Sequence, residues 1–172
     1  MTTIITSNTG HEIRKSFFTI RPALLDDAAA ISIVELKAVK DENRMVPLGM
    51  TLNQLLHVWQ RRIEKKEYEI FVACSVENSA RVYGFISIQA HSNKESYIHA
   101  IYIDPQYYRH GIGSALINFC EKIFARRFCP STKLYVEPYN RIGLRFYNQL
   151  GFKLTNKKFH HLHILVKEYS SC

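Results

Sequence analysis

Between residues 69 and 103 the apolar pattern switches from a helical to a strand period, and three strand-like stretches follow one another across short polar turns. Residues 69–75, 82–91 and 96–103 are rich in Ile, Val, Phe and Tyr, and together they read as an antiparallel meander. Upstream, residues 17–21 form a short strand stopped by Pro22. Asp26 or Asp27 caps a helix through Val39, with Ile31, Val34, Leu36 and Ala38 as its apolar residues. Residues 41–50, with Pro47 and Gly49, read as a loop. Thr51 with Gln54 makes a capping box for a second helix, whose stripe is Leu52, Leu55, Leu56, Trp59 and Ile63. After the meander come a helical pattern over 113–128, a strand at 133–136, a helix over 141–150, and strands over 152–159 and 161–169. This order predicts one α/β (α+β) domain over residues 17–172, preceded by a loose tail at residues 1–16. Its sheet is mixed, mostly antiparallel and seven-stranded, with about four helices flanking it.

Composition narrows the class. A chain of 172 residues with 47% hydrophobic and 22% charged residues can bury a true core. The formal charge of +8 favours anionic partners, a nucleotide cofactor among them. The basic residues are scattered, and clusters such as 61–66 read as solvated surface or as anion recruitment; no run is long enough for a nucleic-acid arm. Cys74, Cys120, Cys129 and Cys172 form neither a CxxC pair nor a disulfide framework, which predicts a reduced, cytoplasmic setting. No stretch reaches the roughly twenty apolar residues of a membrane span, and no secretory leader is seen.

The sharpest local feature is residues 107–116, YYRHGIGSAL, between the end of a strand and the start of a helix. Consecutive N–H groups at a helix start, beside glycines that let a ligand approach, make a pyrophosphate cradle, although the same glycines could serve only a turn. A dinucleotide-binding turn fits poorly, because Leu116 stands where a third glycine is needed and residues 104–110 separate strand from glycines. The phosphate loop of NTPases needs a GK[ST] ending that is absent.

Tyr108, Arg109, His110, Gly111, Ile112 and Gly113 resemble the Q/R-x-x-G-x-G/A signature of the GNAT superfamily of N-acetyltransferases. Upstream, Ile103, Asp104 and Pro105 resemble that family's V-x-P strand end. Downstream, Asn140, Gly143, Phe146, Tyr147, Leu150, Gly151 and Phe152 resemble N-x-x-A-x-x-F-Y-x-x-x-G-F. One position departs: Tyr108 stands where Gln or Arg is usual. The resemblance implies acetyl-CoA as co-substrate, lying where two central strands diverge, and acetyl transfer to an amine acceptor. The amides of the segment from Tyr108 to Ser114 would bind pyrophosphate, with Arg109 or His110 as cationic help. The backbone near Ile101 and Ile103 would hold the thioester carbonyl and pantetheine, and Asn140 the pantetheine or the loop, a role that can coexist with capping the helix from Arg141.

The same resemblance places Tyr147 as the acid for the leaving thiolate; a buried structural tyrosine is the alternative. A base is also needed, because an amine of pKa about 10.4 is only about one part in a thousand neutral at pH 7. Alternation along residues 97–103 puts Tyr97, His99, Ile101 and Ile103 on one face, which predicts that His99 faces the cleft as the base; a hydrogen-bonded core histidine is the alternative, and Glu95 is the fallback base. His160, His161 and His163 lack completing ligands, so no metal is expected. Arg44, Trp59, Tyr68 and His161 are candidate acceptor-lining residues. Acceptor identity, small molecule or protein, is open, as is oligomeric state, a homodimer included. A CoA-binding sensing module without turnover is the alternative function.

Overall fold

The three strands of the meander lie side by side because each is short, apolar and closed by a polar turn. In the computed structural model, which describes residues 4–6, 12–14, 16–42 and 50–169, they are β4 (Glu69–Ser75), β5 (Val82–Gln89) and β6 (Ser96–Ile103). Before them run β3 (Phe18–Pro22), α1 (Ala28–Asp41) and α2 (Leu52–Glu64). After them run α3 (Ile112–Arg126), β7 (Ser131–Val136), α4 (Arg141–Gln149), β8 (Lys153–Phe159) and β9 (Leu162–Glu168). The seven strands order as β3-β4-β5-β6-β7-β9-β8, antiparallel at every step except the parallel pair β6–β7. Within the segment expected as a loose tail, Ile4–Thr6 (β1) and Glu12–Arg14 (β2) pair antiparallel. A three-residue ladder is too short to show alternation in the sequence.

Local chemistry sets the helix starts. Thr51 Oγ1 accepts the Gln54 N–H at 3.3 Å while Gln54 Oε1 accepts the Thr51 N–H at 2.8 Å, the expected capping box. Asp27 behaves differently from the expectation of a helix cap. Its carboxylate turns back to take the Leu24 N–H at 2.7 Å and the Arg21 guanidinium at 2.6 and 2.9 Å. The bidentate pair with a buried carboxylate outcompetes a simple N-cap bond.

Two cores form, one on each face of the sheet. Helix α3 packs Ile112, Leu116, Ile117, Cys120 and Phe124 onto Ile86, Ile88, Ile98 and Leu134. Helices α1 and α2 pack Ala28, Ile31, Val34 and Trp59 onto Val72, Cys74 and Phe85. Phe85, fully buried, meets Trp59 edge-on at 4.9 Å and Tyr102 at 5.7 Å. Phe85→Ala should destabilise the fold by about 3–5 kcal/mol, seen as a lower urea midpoint at unchanged slope.

Candidate active site

The parallel pair at the centre of the sheet is brief. Strands β6 and β7 pair at Ser96 with Thr132, Tyr97 with Lys133, and Ile98 with Leu134, and then separate. From His99 to Ile103 on β6, and at Tyr135 and Val136 on β7, the facing edges have no strand opposite them. Backbone N–H and C=O groups along such an edge need partners, so the gap is chemically prepared to take an extended polar ligand.

The glycine segment stands at the open end of this gap. Asp104 sets its entry: the buried carboxylate accepts the Gln106 N–H at 3.2 Å and the Lys37 ammonium at 2.7 Å. Gly111, at φ +79°, turns the chain into α3 in the left-handed conformation that glycine adopts without steric penalty. The first intrahelical bond runs from the Ala115 N–H to the Gly111 carbonyl at 2.9 Å, so the N–H groups of Ile112, Gly113 and Ser114 precede the ladder. No side chain caps this end, and the first turn holds no acidic residue, in contrast to α2 and α4, where Thr51 and Asn140 accept the free amides. An uncapped helix start of this kind favours an anion. A Cβ on Gly113 would lie 3.1 Å from Phe146 Cζ, so the helix start and α4 approach as closely as they do because that residue has no side chain. Ile112 turns its own side chain into the core and leaves only its amide to the loop. Arg109, at φ 66°, is exposed; the exposed His110 holds Nδ1 2.9 Å from the Tyr108 carbonyl.

Tyr147 and His99 lie on opposite faces of the sheet. Tyr147 belongs to the α3 side, half-buried against Phe146 at 5.2 Å and edge-on to Phe152 at 5.8 Å. Asn140 accepts the Gly143 N–H at 2.8 Å and so caps α4, which orients the helix that carries Tyr147. His99 faces the α1–α2 side, where its ring stacks on Tyr68 at 4.3 Å and meets Tyr97 at 6.0 Å. The strand departs from simple alternation along 97–103. Ser87 pairs with Ala100 and Ile88 with Ile98, so His99 is an extra residue in β6. Beyond it the faces exchange: Ala100 and Tyr102 pack on the α1–α2 core, Ile101 and Ile103 on the α3 core.

Burial, with the nearby Arg62 guanidinium second, pushes the His99 imidazole down to about 4, so it is neutral at pH 7. Burial, with the neighbouring Tyr135 and Tyr68, pushes the Tyr97 phenol up to about 12. Glu95 sits outside the gap, at the paired end of β6 and β7, where it binds Lys133. His161 is exposed, 3.3 Å from Glu137, and Arg44 lies outside the described residues. Among the described residues no group of three or more His, Cys, Asp or Glu is placed to hold a metal ion.

Several residues of the His99 face did not stand out in the sequence. Tyr97 meets Tyr135 at 5.3 Å and Tyr135 stacks on Phe159 at 4.9 Å, extending a wall of rings from β6 across β7 to β8. On the helical side the Trp59 indole N–H donates to Glu35 at 2.6 Å, and burial holds the Glu35 carboxyl above its usual range. Arg62, read as part of a basic surface cluster, instead packs inward over Trp59. Its spacing of three from Trp59 on one helix was the available signal.

The geometry defines an α/β domain with an anion-ready helix start beside a gap between two parallel strands. A model of the acetyltransferase (GNAT) family matches residues 34–152, most of the chain, and the protein belongs to that family. A spermidine N(1)-acetyltransferase of Thermoplasma acidophilum is 32% identical over 88 residues, covering 51% of this chain and 53% of that protein. An uncharacterised N-acetyltransferase of Methanocaldococcus jannaschii is 32% identical over 95 residues, covering 52% of this chain and 41% of that protein. The chain thus spans about half the length of the curated relatives it matches. Among solved structures, a PaiA N-acetyltransferase from Thermoplasma acidophilum in complex with coenzyme A superposes with a TM-score of 0.68 at 22% identity. The superposition covers 88% of this chain and 99% of that one.

The depressed His99 has a stability signature. The unfolded imidazole takes its proton near pH 6.5, while the folded one resists until about 4. Stability from this group is therefore complete above pH 6.5 and is lost as pH falls towards 4. The drop in Tm between pH 7 and pH 4.5, measured by circular dichroism, should be smaller in His99→Gln than in wild type. Equal drops would mean that His99 binds its proton as readily folded as unfolded.

Proposed function

We propose that the protein transfers the acetyl group of acetyl-CoA directly to a primary amine. The observation that carries this reading is the uncapped start of α3 at the mouth of the β6–β7 gap. That the similar solved N-acetyltransferase was crystallised with coenzyme A supports it. Bound acetyl-CoA would supply the activated acyl group. The amides of Ile112, Gly113 and Ser114 would hold its pyrophosphate, and the unpaired β6 edge near Ile101 and Ile103 would hold the pantetheine and thioester carbonyl.

In this reading the two faces of the sheet divide the proton work. The Tyr147 phenol, on the α3 side, donates to the leaving sulfur. His99, on the opposite side, accepts the acceptor's proton directly or through water, in the neutral form that its burial enforces. Because its conjugate acid is strong, His99 works on an amine that has already lost its ammonium proton, and the acidic limb of the rate follows the acceptor's own ionisation. The buried thiols Cys74, Cys120 and Cys129 fit a reducing, cytoplasmic setting, and no helix among the described residues is long and apolar enough to cross a membrane.

Thiol release from acetyl-CoA across a panel of amines tests the proposal. Tyr147→Phe should lower kcat by about a hundredfold or more, and His99→Ala should lower kcat/KM with little change in the KM for acetyl-CoA. Variants that match wild type would falsify the assigned roles, and CoA binding without any thiol release would identify a sensing module. As a second check, the acidic limb of kcat/KM should shift with the pKa of the amine supplied, with no inflection near 6.5.

A further inference from the structure

Arg62, in the last turn of α2, is held by aromatic rings. Its guanidinium carbon stands 4.8 Å from the Trp59 ring centroid and 5.7 Å from that of Tyr68. Three other arginines of the fold are ion-paired, Arg21 with Asp27, Arg61 with Glu67 and Arg127 with Glu69. Arg62 makes no ion pair or hydrogen bond among the described residues, and its Nε–H is buried without an acceptor. On the neighbouring helix Glu35 is engaged by the Trp59 indole at 2.6 Å, and the Arg62 charge acts on its carboxyl without forming an ion pair or hydrogen bond to it. Residues 43–49, which join α1 towards α2 and lie outside the described residues, contain no Asp or Glu.

A guanidinium stays charged at any physiological pH, and burying its N–H groups without acceptors is costly. Ring faces attract the cation but accept few of its fork of donors. The unfilled requirement is for a planar anion, and a carboxylate matches that fork. Position completes the argument. Tyr68, one of the two rings over Arg62, stacks on His99 at 4.3 Å with an interplanar angle of 12°, so the fixed cation stands one ring away from the imidazole at the gap. A second ammonium on the acceptor would be repelled there, whereas an anionic group would be drawn in.

We propose that Arg62 binds a carboxylate carried by the acceptor, which makes the acceptor class an amine bearing an acidic group, such as a free amino acid. This inference rests on the acetyl-transfer reading and deepens it. It differs from the acceptor in the name of the spermidine N(1)-acetyltransferase relative, because a polyamine has nothing to offer an unpaired guanidinium.

The experiment compares free amino acids, their carboxamides and spermidine as acceptors for wild type, Arg62→Gln and Arg62→Lys. Wild type should prefer the acid over its amide by roughly tenfold or more in kcat/KM. Arg62→Gln should bring that ratio near one at unchanged KM for acetyl-CoA, and Arg62→Lys should retain part of it. Because the readout is a ratio within each variant, a general loss of stability does not imitate it. Thiol release that favours amides or spermidine, or a ratio unchanged in Arg62→Gln, overturns the inference and leaves acetyl transfer standing. So does a rise in the KM for acetyl-CoA in place of the lost preference. If no amine releases thiol, acetyl transfer falls; calorimetry of amino acid against amide on the CoA-saturated protein then reads the carboxylate site directly. Preference for the acid, lost in Arg62→Gln, upholds the site, and equal binding overturns it.

Discussion

The brevity of one parallel contact organises this protein. Had β6 and β7 continued beyond three residue pairs, the sheet would close over its own backbone groups and no gap would exist. Their separation leaves two free edges in the middle of the domain rather than at its rim, where water would satisfy them. The start of α3 and the aromatic side of α4 meet beside that gap, and Gly113 lets them approach Phe146 closely. The proposed donor site follows from this arrangement more than from any single side chain.

The two faces of the sheet carry different electrostatics. On the α3 side the free amides of a helix start present positive potential to a ligand, with Asp104 and Lys37 fixing the loop that leads there. On the α1–α2 side rings dominate, from Tyr68 and His99 to Tyr135 and Phe159, and burial keeps His99 neutral. The gap joins an anion-ready face to an aromatic one. The proposed transfer from a nucleotide thioester to an amine would use such a division, since a pyrophosphate and a neutral amine favour opposite surroundings.

Much of this is readable in the chain, for local reasons. The capping box at Thr51 involves residues three apart, and the strands of the meander declare themselves through alternation and short polar turns. The glycine segment is readable because the left-handed turn at Gly111 and the close approach at Gly113 each require a missing side chain. Asp27 reads as a helix cap, but its stronger partner, Arg21, precedes that helix and takes the carboxylate. The faces of β6 depart from simple alternation because one extra residue at His99 resets a period of two.

The sequence alone determined the elements, their order and the glycine turn that opens α3. Each of these rests on backbone preference and on neighbours within a few positions. Tertiary structure decided where β6 and β7 part, which face His99 and Tyr147 occupy, and that Arg62 turns inward over Trp59 and Tyr68. Those outcomes join residues far apart in the chain, and they follow from the burial of whole helix faces against the sheet, which no local pattern encodes.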